Sequence, residues 1–441
     1  LGQRGNNASA DILAIDPNLQ ISKSHEYNLS IEREIGFQTA IKVQYVGGQS
    51  NNLVRGININ QINVTTNGLA ADFNRALSNL NLTGNAFCTT AGCQALTVFG
   101  NTSAAQLQVG TATGLPLATF TTGLRAGTPA DLALTFILNN ARGGFPLSPN
   151  PNARDVILLN NSGKYRYNSF QFEIRRRFAK GLALQGNDTF QKTLTNAQDV
   201  GQTRIDPLLD NNNPGLEYVR ADYDQTHVVN INGIYELPFG KGKRFLNEGG
   251  LLNRLVGGFQ LTAILRAGTG APITITDARG TINRAGRAAR QTPDTNLTKA
   301  QLRDLFGIRR IPSGVIFVDN RIVNFNADPL TASVLSGRGA NAFGQPNFAG
   351  QVFFDAQPGT TGNLERAFIN GPDFYNVDAS LIKNIAITER VRFQIRMEAF
   401  NIFNRANFLI GNTINVNSTA FGRVTSTFDP RVVQFAGRIE F

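Results

Sequence analysis

Along much of the chain the apolar positions fall on every second residue. The carboxy-terminal stretch RVVQFAGRIEF shows this most plainly: Val433, Phe435, Gly437, Ile439 and Phe441 stand on one side, and Val432, Gln434, Ala436, Arg438 and Glu440 on the other. A period of two is the strand period, because successive side chains of a strand point to opposite faces. The same alternation recurs at residues 25–35, 39–45, 167–178, 182–191, 227–237, 259–266, 375–381 and 391–399, which with the last stretch predicts nine strands. The polar face of these strands carries charge: Glu173, Arg175 and Arg177 in one, Arg392, Arg396 and Glu398 in another, and Arg266 in a third. Such a face cannot enter a dry core without a large desolvation cost, but it can line water. Asp188 interrupts an otherwise apolar face.

The connections alternate in length. Gly36-Phe37-Gln38, Ala179-Lys180-Gly181, residues 238–256 and Ile387-Thr388-Glu389 are short, whereas 49–164, 195–222, 277–372 and 406–429 are long. Tight turns at one end and long loops at the other are the habit of outer-membrane barrels. The predicted fold class is therefore all-β, an antiparallel transmembrane β-barrel; a soluble antiparallel sheet with one wet face is the alternative. Residues 1–24 read as loop, ahead of a barrel region over 25–441 with long insertions at 49–164 and 277–372. Inside the insertions, residues 72–80 predict a helix and Thr128-Pro129 opens another, with Pro at the first helical position. Thr298 and Gln301 form a capping box for a third helix, stopped by Gly307, and 315–318 and 352–354 predict short strands.

Composition narrows the choice. Apolar residues make up 41% and charged residues 17% of the 441, so the chain can bury apolar surface and is not disordered. The formal charge of +11 is spread through strands and loops without a long basic run, which argues against nucleic acid and for anionic lipid headgroups or an anionic ligand. No stretch is long and apolar enough for a transmembrane helix. Cys88 and Cys93 form a C-x4-C pair without histidine partners; a disulfide in an oxidising compartment suits them better than zinc.

Candidate chemistry is sparse. The two histidines, His25 and His227, lie near strand ends, and no nucleophile–histidine–acid motif accompanies them, so an enzyme is not expected and no cofactor is predicted. Asp206, Asp210, Glu217, Asp222 and Asp224 crowd one loop and are dense enough in oxygen to hold calcium, although a solvated acidic loop is the simpler reading. Gly337 and Gly339 in SGRGANAFG read as loop glycines rather than a phosphate loop. The best candidates for ligand contact are the wet-face residues Glu173, Arg175, Arg177, Arg266, Arg392, Arg396 and Glu398, since a guanidinium fork binds carboxylates in two-point fashion; structural pairing of the same charges is the plainer alternative.

Four segments carry a resemblance: LPFGKGKRF, GGFQLTAILRAGTGAPITI, the run from Gly362 to Phe408, GNLERAFINGPDFYNVDASLIKNIAITERVRFQIRMEAFNIFNRANF, and FGRVTSTFDPRVVQFAGRIEF. HEYNLSIEREIG and LTKAQLRDLFGIRRIPSGVIFVD add to it. Together they resemble the carboxy-terminal barrel of Oar-like TonB-dependent receptors, large outer-membrane proteins of Acidobacteria and myxobacteria. The resemblance implies a cell outer-membrane location and transport of a bulky ligand through a plugged lumen. It implies contact with outer-membrane lipid and lipopolysaccharide, and partnership with the TonB complex. It also implies carboxypeptidase-regulatory-like and plug domains upstream on the same chain or on a companion. A surface adhesion or assembly protein without transport is the rival function. The terminal Phe441 resembles an aromatic signal for barrel insertion. Nine strands place both end strands in the same direction, so the expectation is that this chain does not close a barrel by itself and that at least one further strand comes from an upstream segment or a partner polypeptide.

Overall fold

The period-two stretches assemble side by side, in chain order, into one antiparallel wall in the computed structural model. The structure describes residues 11–103, 105–197, 208–247, 250–283, 291–312, 314–325, 337–388, 390–411 and 413–441. The wall strands are β1 (Lys23–Gly36), β2 (Thr39–Asn58), β3 (Asp155–Ala179), β4 (Leu182–Thr195) and β5 (His227–Glu236). They continue with β6 (Phe259–Gly268), β7 (Phe374–Ala386), β8 (Arg392–Phe400) and β9 (Val432–Glu440). All nine lie where the alternation places them. β1 and β9 are the ends of the wall and, among the described residues, do not pair with each other.

Residues directly opposite in a ladder share a face, so register decides whether the pattern holds across the sheet. Ile31 stands opposite Val43, and Val43 opposite Phe172. Likewise Leu381 stands opposite Met397, and Met397 opposite Phe435. One face is thus mainly apolar, broken by Arg33, Arg176 and Lys383 toward the tight turns and by Asp188 toward the loops, and is not covered by protein: Ile31 is 69% and Phe435 74% exposed. A soluble chain does not leave a patch of that extent in water. The other face presents Gln44, Gln171, Asn187, Asn230, Gln260 and Gln394.

The apolar run on β3 extends over Phe170, Phe172, Ile174 and Phe178, a stretch of nine residues, while the strand itself has 25. About 9–11 tilted residues cross a membrane, so β3 and its neighbour β2 project well beyond the apolar band. This corrects the insertion boundary at 49–164, since β2 runs on to Asn58 and β3 begins at Asp155. The alternation stops earlier because polar residues occupy both faces there, and register shifts between Ser50, Leu53 and Arg55 break the period while backbone pairing continues. A second correction concerns residues 1–24: Asp11–Ile15 is a short strand lying parallel to the start of β3, too brief to show a period.

At one end of the wall the connections are tight. Phe37 and Gln38 both have positive φ, as do Lys180 and Gly181, the geometry of two-residue hairpins matched to strand twist. Residues between β5 and β6 include the short helix Leu251–Val256; the carbonyls of Leu255 and of Gly257, just past its end, accept from Lys383 Nζ at 2.7 and 2.9 Å. One close approach explains a glycine within the sheet. Tyr27 lies across Gly47, and a Cβ there would stand 2.2 Å from the ring.

At the other end the long connections fold into two bodies with separate cores. The first packs α1 (Leu69–Thr83), α2 (Leu117–Ala126) and α3 (Pro129–Leu138) around Phe73, Phe99, Phe120 and Phe136. The Phe99 and Phe120 rings meet edge to face at 4.8 Å. Asp72 is fully buried and accepts from the backbone N–H groups of Thr97, Val98 and Phe99 at 2.9, 2.9 and 2.8 Å, which ties α1 to the following loop. α1 extends the predicted 72–80 helix, and α3 opens at Pro129 as expected. α2 was not foreseen. Its buried apolar residues are only Phe120 and Leu124, and its threonines bond back to Leu117 and Ala118 carbonyls.

The second body centres on Ile275, Phe317, Val318, Phe353, Val416 and Phe421. It contains the predicted capping box, but the helix it opens, Lys299–Asp304, ends before Gly307. Gly307 belongs instead to the strand Phe306–Ile311, which pairs with Gly314–Val318. The strand expected at 352–354 is present as Phe353–Phe354.

Candidate functional site

The wet-face residues do share one face, but they are not gathered. Glu173, Arg175 and Arg177 lie on β3, and Arg392, Arg396 and Glu398 on β8, with β4 to β7 between them. Several are neutralised locally. Arg175 Nη2 is 3.5 Å from Glu32 Oε1, and Arg396 Nη1 is 3.5 Å from Glu398 Oε1. Arg396 Nη2 also donates to Gln394 Oε1 at 2.9 Å, and Gln434 donates to Glu398. Exposed pairs of this kind contribute about 1 kcal/mol or less, and they fix side chains more than they hold the fold. Arg392 stands opposite Glu440 in the ladder.

Arg266 is different. It lies near the loop end of β6, opposite Asn230 and Asn376. There the polar face meets the second loop body around a cavity of about 470 Å³. Asn230 and Gln225 line it on one side, and Ile273, Phe374, Phe408 and Phe428 on the other. Among the described residues no carboxylate pairs with Arg266. An uncommitted guanidinium beside amides and aromatic walls can take a planar anionic group by two parallel hydrogen bonds while apolar parts of the ligand pack alongside.

Two carboxylates of the acidic loop, Asp224 and Glu217, are buried and paired with arginines rather than solvated. Asp224 is buried and accepts from Arg220 Nε at 2.8 Å and from the Thr193 N–H at 2.7 Å. Glu217 is buried too: Arg366 Nη1 donates to it at 2.9 Å, the Leu209 N–H donates at 2.9 Å, and Arg55 Nη2 stands 4.0 Å away. Glu217 is paired with arginines brought from far along the chain, a pairing with no local sequence signal, whereas Asp224 takes Arg220 from four residues away. Asp210 caps a turn through the Asn212 N–H at 2.9 Å, and Asp206 lies outside the described residues. Among the described residues no group of three or more metal-ligating side chains is spaced to hold an ion.

His227 faces Asp188 at 3.3 Å on the apolar face and packs on Phe190, with ring centroids 5.0 Å apart. The blemish in the β4 pattern is therefore a cross-strand pair. Cys88 and Cys93 are joined as a disulfide just after α1, with Cα atoms 5.9 Å apart. Gly337 and Gly339 sit in close-packed loop rather than in a strand-to-helix turn: a Cβ at Gly337 would stand 1.9 Å from Val323 Cγ1. Phe441, the last residue, is 99% exposed at the turn end beyond β9.

An antiparallel wall that is apolar outside and polar inside, with tight turns at one end and folded loops at the other, defines an outer-membrane β-barrel protein. The model of the outer membrane beta barrel domain family matches residues 2–434, and the chain belongs to that family. Three solved structures align with it at low identity. The outer-membrane transporter YddB from Escherichia coli aligns at 6% identity and TM-score 0.39 over 98% of this chain and 34% of that one. The ferric-catecholate import receptor Fiu from E. coli K12 aligns at 8% identity and TM-score 0.35, over 96% of this chain and 28% of that one. The ferripyoverdine receptor of Pseudomonas aeruginosa aligns at 9% identity and TM-score 0.34, over 95% and 27%. This chain thus spans about a third or less of those proteins. No curated protein matches its sequence.

Proposed function

We propose that this chain is the carboxy-terminal barrel part of an Oar-like TonB-dependent receptor, moving a bulky ligand across the outer membrane. The observation that carries the reading is the cavity at Arg266, set where the polar wall meets the folded loops, so that a ligand held by the loops reaches the inner face through it. The resemblance of the segment from Gly362 to Phe408 supports the same family. On this reading residues 25–441 form wall and outer loops, residues 1–24 lead in from outside, and a plug comes from upstream on the chain or from a companion. The folded loops face outward and capture ligand, as loops on a rigid scaffold do.

The experiment is a deletion strain compared with its parent by mass spectrometry of medium, periplasm and cell surface. A transport role predicts a changed distribution of at least one molecule too large for diffusion pores, reproduced when the energy-coupling TonB protein is removed. Unchanged distributions with lost surface attachment would instead establish the adhesion role.

A further inference from the structure

Above the apolar band, a cavity of about 430 Å³ opens beside the lipid-facing side of the wall and shares no residue with the cavity at Arg266. Lys192 and Leu194 of β4 line it, with Arg220 of the short strand Val219–Arg220, Arg303 of the helix Lys299–Asp304, and Arg366 and Phe368 from the chain leading to β7. We propose that this cavity holds the phosphorylated sugar headgroup of an outer-leaflet glycolipid, whose acyl chains lie against the apolar face below. The choice of leaflet rests on the outward orientation of the loops proposed above.

Register sets the height of the cavity. Phe170 and Phe190 stand opposite each other as the last aromatic row of the apolar face on β3 and β4. One row toward the loops, Asn168 stands opposite Lys192. One row further, Arg166 stands opposite Leu194, and Leu194 opposite Arg220. Residues of one face are two apart along a strand, so successive rows are separated by about 7 Å. Arg166, Lys192 and Arg220 thus flank Leu194 on the same face that meets lipid lower down, at the height of a headgroup. Cations just above a membrane's apolar region meet the anionic groups of its surface.

Charge specifies the ligand. Lys192, Arg303 and Arg166 make no ion pair among the described residues. Arg303 lies over the buried Phe368, 6.0 Å from the ring centroid, which positions its guanidinium at the cavity. The surrounding charges are settled: Arg220 donates to Asp224, Arg366 donates to Glu217, and Glu365 on the rim pairs with Lys299. A concave site with uncommitted cations and no uncommitted carboxylate in its lining draws an anion. A phosphomonoester, with nearly two charges and three acceptor oxygens, suits several cations at once better than the single charge of a phosphodiester does. The volume lies in the range of small-ligand sites, with room for a sugar beside the phosphate, and Tyr218 in the lining offers it a ring face and a hydroxyl. A soluble sugar phosphate would use only this upper half. A lipid also covers Phe170 and Phe190, which are 51% and 52% exposed.

The test uses the full chain extracted from outer membranes in lauryldimethylamine oxide and washed free of lipid, with native mass spectrometry as the readout. The probes are lipid A carrying its phosphates, the same lipid A after phosphatase treatment, phosphatidylglycerol and inorganic phosphate. Phosphorylated lipid A is expected to bind the parent at least about tenfold more tightly than each of the others. The double variant Lys192→Ala with Arg303→Ala should lose at least about tenfold of that affinity, since each cation near a lipid surface contributes separately. Both residues are exposed, so the heat-modifiable folded band should match the parent's. Lys241→Ala with Arg254→Ala, exposed at the tight-turn end, should bind as the parent does. Equal binding of dephosphorylated lipid A or of phosphatidylglycerol, inorganic phosphate binding as tightly as the lipid, undiminished binding in the first double variant, or an equal loss in the second would each overturn the proposal. Micelles have no leaflets, so binding there is read independently of loop orientation and of transport.

Discussion

Replacing Glu217 should loosen the loop assembly far more than its place in a polar loop implies. Its side chain is 1% exposed and faces Arg55 and Arg366, themselves 2% and 8% exposed. Alanine removes the charge that Arg366 contacts at 2.9 Å and the acceptor of the Leu209 N–H. At an effective dielectric of about 20, a charge pair some 4 Å apart is worth about 4 kcal/mol, and removing one partner of a buried pair typically costs about 3–5 kcal/mol. Glutamine keeps the Leu209 bond and loses only the charge, so it should cost less than alanine.

The assay is amide hydrogen exchange over residues 208–218 and 366–370 in detergent, because a local loss need not unfold the wall. At about 1.4 kcal/mol per tenfold, Glu217→Ala should speed exchange there by roughly two to three orders of magnitude, with the β1–β9 amides unchanged. Exchange within a few-fold of the parent would refute the reasoning. So would an equal loosening caused by a calcium chelator, which would return the acidic loop to the role of a metal site.

Four further outcomes are expected. Burial raises the Asp355 carboxyl to about 6; Arg279 opposes the shift and Asp277 adds to it. The folded state then holds the extra proton between about pH 4 and 6, so stability should be highest below that window and fall as pH rises through it, by roughly 3 kcal/mol at most. Melts from pH 4 to 8 should show that slope in the parent and lose it in Asp355→Asn; a rise with pH would contradict it. Asp319, held down to about 2 by Arg321, acts only below this window. Alkylation of unreduced protein should find no free thiol at Cys88 or Cys93, and reduction should cost about 2 kcal/mol, since the loop closed is short; two alkylated cysteines would sink the disulfide. Phe172→Arg on the apolar face should cost about 2–4 kcal/mol in lipid, whereas Gln171→Arg beside it should be nearly neutral; equal costs would mean the faces are misassigned. Deleting Phe441 should reduce membrane insertion much more than Phe441→Tyr, measured as the heat-modifiable folded fraction, and equal insertion of deletion and parent would discard the signal role.

The wall was legible because its pattern is set locally. Lipid on one side and water on the other impose a two-residue period on each strand by itself, so RVVQFAGRIEF can be read without knowing its neighbours. The loops obey no such rule. Asn60 donates to the Ala153 carbonyl across 93 residues, and Arg366 reaches Glu217 across 149. Their two cores are sums of many short pieces, none long enough to show a period of its own. For the same reason the candidate site was only half visible. Arg266 is on a strand and could be placed on the wet face from parity alone. The aromatic wall of its cavity could not: Phe408 opens one two-residue strand and Phe428 follows another, and no window of sequence records how they pack.

The pair of Asp188 and His227 shows where the boundary between the two regimes falls. Read along β4, Asp188 is an error in the apolar face. Read across the ladder, it stands opposite Phe172 and Val229, next to the row in which Phe190 meets His227. A lone carboxylate among lipid tails is costly, but the cost falls steeply toward the interface. The row of Tyr45, Phe170 and Phe190 lies one step further toward the loops, and beyond it the same face turns polar at Asn168 and Lys192. Asp188 is therefore one row inside the edge of the apolar band, close enough for His227 and interfacial water to satisfy it. The sequence exception thus marks the height of the membrane boundary on this wall.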